Sequence, residues 1–151
     1  EISRRWPVTD SEERYKDHAW HRALWWGHGD VNGVDFWREL GAGQTGKLVL
    51  LSAPQTAALD TRAVLELSLA LESTTGEVLG GVQQRFVLWQ QPPHRFVDAE
   101  VIVAANCGAA LRFGDTDDGG FAFRLTDRFR QDQGARLINS EGLEGTERIW
   151  G

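Results

Sequence analysis

Methionine is absent from these 151 residues, cysteine and tyrosine occur once each, and proline occurs four times. The single thiol, Cys107, excludes an internal disulfide, and its small apolar neighbours predict a buried, inert side chain. Lysine is nearly absent. The 16 basic residues form no run of the kind that neutralises phosphates, and 22 acidic residues bring the net charge to −6, so nucleic acid is not an expected partner. No apolar run approaches the roughly 18 residues that cross a bilayer, because Glu66, Glu72 or Arg85 interrupts the longest ones, so no membrane partner is expected either. With 41% hydrophobic and 25% charged residues, the composition is that of an ordinary soluble globular domain. The start inside a polar stretch at Glu1 and the stop at Trp150-Gly151 read as a fragment of a longer chain, which leaves localisation open.

What the chain has in quantity is period two. From Arg62 to Glu72 the odd positions are Ala63, Leu65, Leu67, Leu69 and Leu71, while the even ones include Arg62, Glu66, Ser68 and Glu72, which predicts a strand. Leucine favours helix by propensity, but this spacing scatters the leucines around a helical cylinder instead of lining one face. Thr74-Thr75-Gly76 supplies a turn, and the alternation resumes from Val78 to Trp89, giving a long hairpin with a bulge at Gly80-Gly81. Pro92-Pro93 ends that strand, and Phe96 to Ala105 forms another with Val97, Ala99, Val101 and Val103 on one side. Leu111 to Phe113 and Phe121 to Leu125 read as a further hairpin across GDTDDGG. Ala135 to Ile138 reads as a last short strand before the loop Asn139-Ser140-Glu141-Gly142. Such strands predict an all-β fold, an antiparallel β-sandwich in one domain over residues 1–151, with Trp37 and Trp89 in the core and function on the loops.

The segment 17–37, DHAWHRALWWGHGDVNGVDFW, holds three of the four histidines, four of the seven tryptophans and three aspartates. Its glycines predict an irregular loop that brings backbone close to a ligand. His28 or His21 can exchange a proton near neutrality, and Glu141 in the late loop is the carboxylate to pair with it; opening or cleaving a sugar at its anomeric carbon needs two such groups. The plainer reading makes Glu141 a solvated turn carboxylate and His28 a cap on its own loop. His18 and Arg22 are further candidates for holding substrate, with Arg22 offering a planar fork. Trp25 and Trp26, if extended, face opposite ways, so one of them can floor a sugar ring while the other joins the core. Asp30, Asn32 and Asp35 around Gly33 lack the spacing of a calcium loop and read as a tight turn, with Asp30 and Asn32 also placed to touch substrate. His18, His21 and His28 with Asp30 could ligate a metal, but their spacing matches no standard zinc motif, and no metal or cofactor is assigned.

Three blocks carry a family likeness: HRALWWGHGDVNGVDFW at 21–37, LRFGDTDDGGFAFRL from Leu111 to Leu125, and ARLINSEGL from Ala135 to Leu143. In that order they resemble segments of the bacterial methane oxygenase PmoA-like proteins, over most of the chain. The resemblance implies a sandwich like the galactose mutarotase supersandwich, incomplete at its termini, and a role in carbohydrate use. Methane chemistry is not carried over, because no spanning segment is present. Relatives carry histidine where Trp20 stands and glycine where Ala23 stands. The expected function is therefore a carbohydrate-active protein using His/Glu acid–base chemistry on a sugar or oligosaccharide, as an epimerase, lyase or glycoside-cleaving enzyme. The alternatives are a non-catalytic carbohydrate-binding module and a metal-dependent enzyme built on the histidine cluster.

Overall fold

The structure is a computed structural model that describes residues 21–149. It is an antiparallel all-β sandwich, as the alternation predicts. Its strands are β1 (Leu24–His28), β2 (Lys47–Leu50), β3 (Gln55–Leu59), β4 (Arg62–Glu72), β5 (Val78–Gln91), β6 (His94–Ala104) and β7 (Gly119–Phe123), and a short helix α1 spans Thr146–Ile149. β1 pairs with β7, while β2, β4, β5 and β6 lie side by side in a second sheet with β3 added beside β4. The described residues divide into two compact units, one of Trp26–Gly120 and one that includes 21–25 and 121–149.

Register decides what each face of the large sheet carries. Leu69 stands opposite Val82, and Val82 opposite Val103, so these side chains share the inner face. Val31 and Phe36, which follow β1, close over that face and form a buried cluster with Leu69, Leu71 and Val82, against which Trp26 packs. The other face carries the row Gln55, Glu66, Arg85 and Glu100. Every turn between these strands is short. Ser73 organises the β4–β5 turn, its Oγ accepting the amides of Thr75 and Glu77 at 3.3 and 3.1 Å. The bulge falls at Leu79, one residue before the expected glycines, since Leu71 pairs with Gly80 and Glu72 with Val78.

Several sequence expectations are corrected. Leu24–His28 is a strand and not loop, because Gly27 adapts to a close neighbour without breaking the ribbon. Leu111 to Phe113 does not form a hairpin with the following strand: β7 pairs with β1, and Phe113 makes an isolated bridge to Val31. Ala135 to Ile138 is not a strand, only Ile138 bridging to Glu144. Cys107 is exposed, on a loop beyond the sheet that covers none of its neighbours. Trp37 and Trp89 lie outside the buried cluster; Trp89 stacks on Phe96 at 4.0 Å on the outer face.

Gly27 shows how tightly the first ribbon is held. A Cβ there falls 2.6 Å from the Phe36 carbonyl oxygen and 3.3 Å from Trp37 Cα, both backbone atoms that cannot rotate away. Gly27→Ala is expected to cost about 1–3 kcal/mol in urea unfolding. A loss below a few tenths would mean that the two segments separate freely.

Candidate functional site

An Asn-Gly turn forms the scaffold. The Val31 N–H donates to Val34 O at 2.9 Å and the Val34 N–H to Val31 O at 3.0 Å. That leaves Asn32 (φ 55°) and Gly33 (φ 80°) as a two-residue hairpin loop with both residues left-handed, the geometry for which Asn-Gly is preferred. Asp30 Oδ1 accepts the Gly33 amide at 2.8 Å and stiffens the turn. Asn32 then ties down a distant segment: its Oδ1 accepts the Arg112 amide at 2.7 Å, and its Nδ2 donates to Ala110 O at 3.2 Å. Both ends of its amide are therefore used in positioning Ala110 to Arg112. Phe113 and Gly114 follow, and the Gly114 N–H donates to Asp30 O at 2.9 Å. Asp30, Asn32, Arg112, Phe113 and Gly114 line an open depression of roughly 570 Å³, within the range of small-molecule sites.

His28 ends β1 beside this turn. The Asp30 amide donates to its Nδ1 at 3.1 Å. A nitrogen that accepts a hydrogen bond carries no proton, so the neutral ring has its proton on Nε2. The edge of Phe113 meets the ring at 5.1 Å and 81°, and a Cβ on Gly119 would stand 2.7 Å from Cδ2 and 3.1 Å from Nε2. Glycine at 119 thus keeps the Nε2 edge clear, and among the described residues Nε2 has no hydrogen-bond partner.

Arg38 fixes the position of that glycine. Its guanidinium donates to Asp35 Oδ2 at 3.0 Å and to Asp118 Oδ2, while the Asp118 carbonyl accepts the Gly29 amide at 2.7 Å. The hydrogen bond to Asp35, with the charge of Asp118 beside it, raises the Arg38 pKa above its ordinary value. Asp35 Oδ1 also accepts the Trp37 amide at 2.7 Å, so the aspartate is itself held by backbone. Arg38, Phe113 and Gly119 were not among the residues singled out from sequence. The pairing of Arg38 with Asp118 spans 80 positions and leaves no local signal.

Of the remaining candidates, His21, Arg22, Trp25 and Glu141 belong to the other unit, Trp26 to the same one, and His18 lies outside the described residues. His21 is buried and stacks on Trp25, with centroids 4.5 Å apart and planes at 14°. Arg22 is exposed. Trp25 and Trp26 do alternate: Trp25 meets His21, and Trp26 meets the buried cluster. His18, the first member of the His18, His21 and His28 arrangement, lies outside the described residues. Among the described residues, no group of three or more His, Cys, Asp or Glu is arranged to hold a metal ion.

Glu141 sits exposed at the tip of a tight loop, its amide donating to Asn139 Oδ1 at 3.1 Å. Arg136 closes the loop by a two-pronged pair to Glu144, each contact 2.9 Å. Hydrogen bonding from Arg136 lowers the Glu144 pKa below its ordinary 4.5. The contribution of this pair is present above that ordinary value and is lost as pH falls through the lowered one. Amide shifts of Ile138 and Glu144 should therefore move together on acidification, and Glu144→Gln should remove the transition. Both groups are solvent-exposed, so the effect is local.

Fold and site together define an antiparallel β-sandwich protein that carries an oriented imidazole beside an Asn-Gly turn. The chain belongs to the DUF6807 family, a family of unknown function, whose model matches residues 5–151. No curated protein and no solved structure matches the chain. Among the described residues no helix is long and apolar enough to cross a membrane.

Proposed function

We propose that the protein is carbohydrate-active and that His28 is its working side chain, acting as a neutral imidazole that donates from Nε2 to a sugar oxygen. The observation that carries this reading is the Asp30 amide on Nδ1, which directs the ring proton to the edge left clear by Gly119. Opening a pyranose, or removing a proton beside a sugar carbonyl, builds negative charge on an oxygen, and a fixed N–H donor stabilises that charge without reorganising. This role narrows the proton exchange considered from sequence to donation alone. Proton removal falls to a second group, for which Glu141 is the carboxylate the sequence nominates. The likeness to PmoA-like proteins and to mutarotase-type sandwiches belongs to the same proposal, since it is the source of the sugar assignment.

The test combines a tautomer measurement with a screen. Long-range nitrogen–proton correlation on the neutral ring should show the proton of His28 on Nε2; a proton on Nδ1 removes the proposed role. Incubation with neutral monosaccharides and oligosaccharides, followed by proton NMR of the anomeric region, should show accelerated change in at least one. Binding without change would replace the enzyme reading with a non-catalytic carbohydrate-binding module. Glu141→Gln tests the nominated carboxylate by the same assay.

A further inference from the structure

The outer face of the five-stranded sheet, turned away from the cluster that Val31 and Phe36 cover, carries a second polar site. Gln55, Glu66, Ser68, Gln83, Arg85 and Glu100 line a groove of about 230 Å³ across β3, β4, β5 and β6. Register brings them together: Gln55 opposes Glu66, Glu66 opposes Arg85, and Arg85 opposes Glu100, so four strands present one continuous row. Arg85 Nε donates to Glu66 Oε1 at 3.1 Å and holds that carboxylate against the sheet. Further along the same face, Trp89 and Phe96 stack at 4.0 Å and 13°, the indole N–H donating to Asp98 Oδ2 at 2.8 Å. Phe96 is 36% exposed. Between the two features lie Val64, Val87 and Asp98, which share one cross-strand row.

We propose that this face binds an extended neutral glycan, with hydroxyls on the polar row and a ring on the Trp89/Phe96 platform. Amides and a serine hydroxyl both donate and accept, which matches hydroxyl groups that do the same. Two carboxylates against one guanidinium in the row, on a chain of net charge −6, repel anionic ligands such as uronates, phosphates and nucleic acid. The exposed edge of the stacked pair supplies apolar area for the C–H groups of a pyranose; one indole face lies on Phe96, the Arg62 guanidinium sits 6.0 Å from the indole centroid, and the hydrogen bond to Asp98 keeps the indole from turning. Arg85 and Trp89 are four positions apart on β5, about 13 Å at roughly 3.3 Å per residue. A single sugar ring cannot reach both ends, so the ligand is a chain. This surface lies on the face opposite the one that the His28 turn helps to cover, and it requires no turnover.

Calorimetric titration with neutral hexasaccharides of glucose, xylose, mannose and galactose, with the four free monosaccharides and a galacturonate hexasaccharide alongside, tests the proposal. At least one neutral hexasaccharide should bind, with quenching of tryptophan fluorescence, and its monosaccharide should not bind at the same concentration. Trp89→Ala and Gln83→Ala should each weaken binding by about tenfold. Gln83 is exposed, so its variant keeps the test valid if Trp89→Ala fails to fold. Absence of binding by every neutral hexasaccharide, preference for galacturonate, equal binding of the monosaccharide, or indifference to both Trp89→Ala and Gln83→Ala would each overturn it. Loss of binding in His28→Gln alone would assign the glycan to the His28 side chain instead.

Discussion

Leu71→Ala is expected to lower stability by about 2–5 kcal/mol and the thermal midpoint by about 5–15 °C, whereas Leu88→Ala should change stability by less than about 1 kcal/mol. The two leucines look alike in the sequence, both at apolar positions of strongly alternating strands. Their surroundings differ. Leu71 is 0% exposed and lies within the cluster of Val31, Phe36, Leu69 and Val82, where its removal leaves a cavity that rigid neighbours cannot fill. Leu88 is 45% exposed, opposite Ala63 and Val97, where solvent already reaches the side chain. Chemical denaturation of both variants decides the matter. Equal losses would mean that the inner face is covered along its whole length.

That contrast marks how far period two can be read. Alternation identified β4, β5 and β6 and placed their hydrophobic sets on one side, because each of these strands pairs with its sequence neighbour through a short turn. It did not show which end of the face would be buried, since that depends on Val31 and Phe36, residues of a separate segment well upstream of β4. The expected hairpin around GDTDDGG failed for a related reason. β7 found its partner in β1, far back in the chain, and nothing in a local pattern favours a remote strand over a near one. β2 and β3 are four and five residues long and alternate too briefly to stand out.

At the candidate site, composition pointed to the tight turn. It could not apportion roles. Asp30 and Asn32 appear in the sequence as polar groups facing a ligand, yet both amide atoms of Asn32 and one carboxylate oxygen of Asp30 are spent on backbone. The clearance beside His28 comes from Gly119, which the sequence shows only as part of a Gly-Gly turn, and from Arg38 holding Asp118. Three residues from separate turns therefore set the orientation of one imidazole, and no spacing rule links them.

On the proposed reading of His28 as a donor to a sugar oxygen, its replacement by alanine is expected to reduce turnover by about 10²–10³-fold, the usual consequence of deleting one donor to a developing oxyanion. His28→Gln should recover part of that loss. A glutamine amide nitrogen reaches about as far from the backbone as imidazole Nε2 and donates a hydrogen bond, but it neither accepts a proton nor releases one at neutral pH. A general base has no such substitute, so equal inactivity of the glutamine and alanine variants would assign His28 to proton removal and reject the donor role. Gly119→Ala tests the same geometry from the other side. Its methyl would stand 2.7 Å from Cδ2 and 3.1 Å from Nε2, displacing the ring or covering the donor edge. Turnover should fall in this variant although every polar group of the site is retained, and a fully active Gly119→Ala would show that the Nε2 edge is not where the substrate lies.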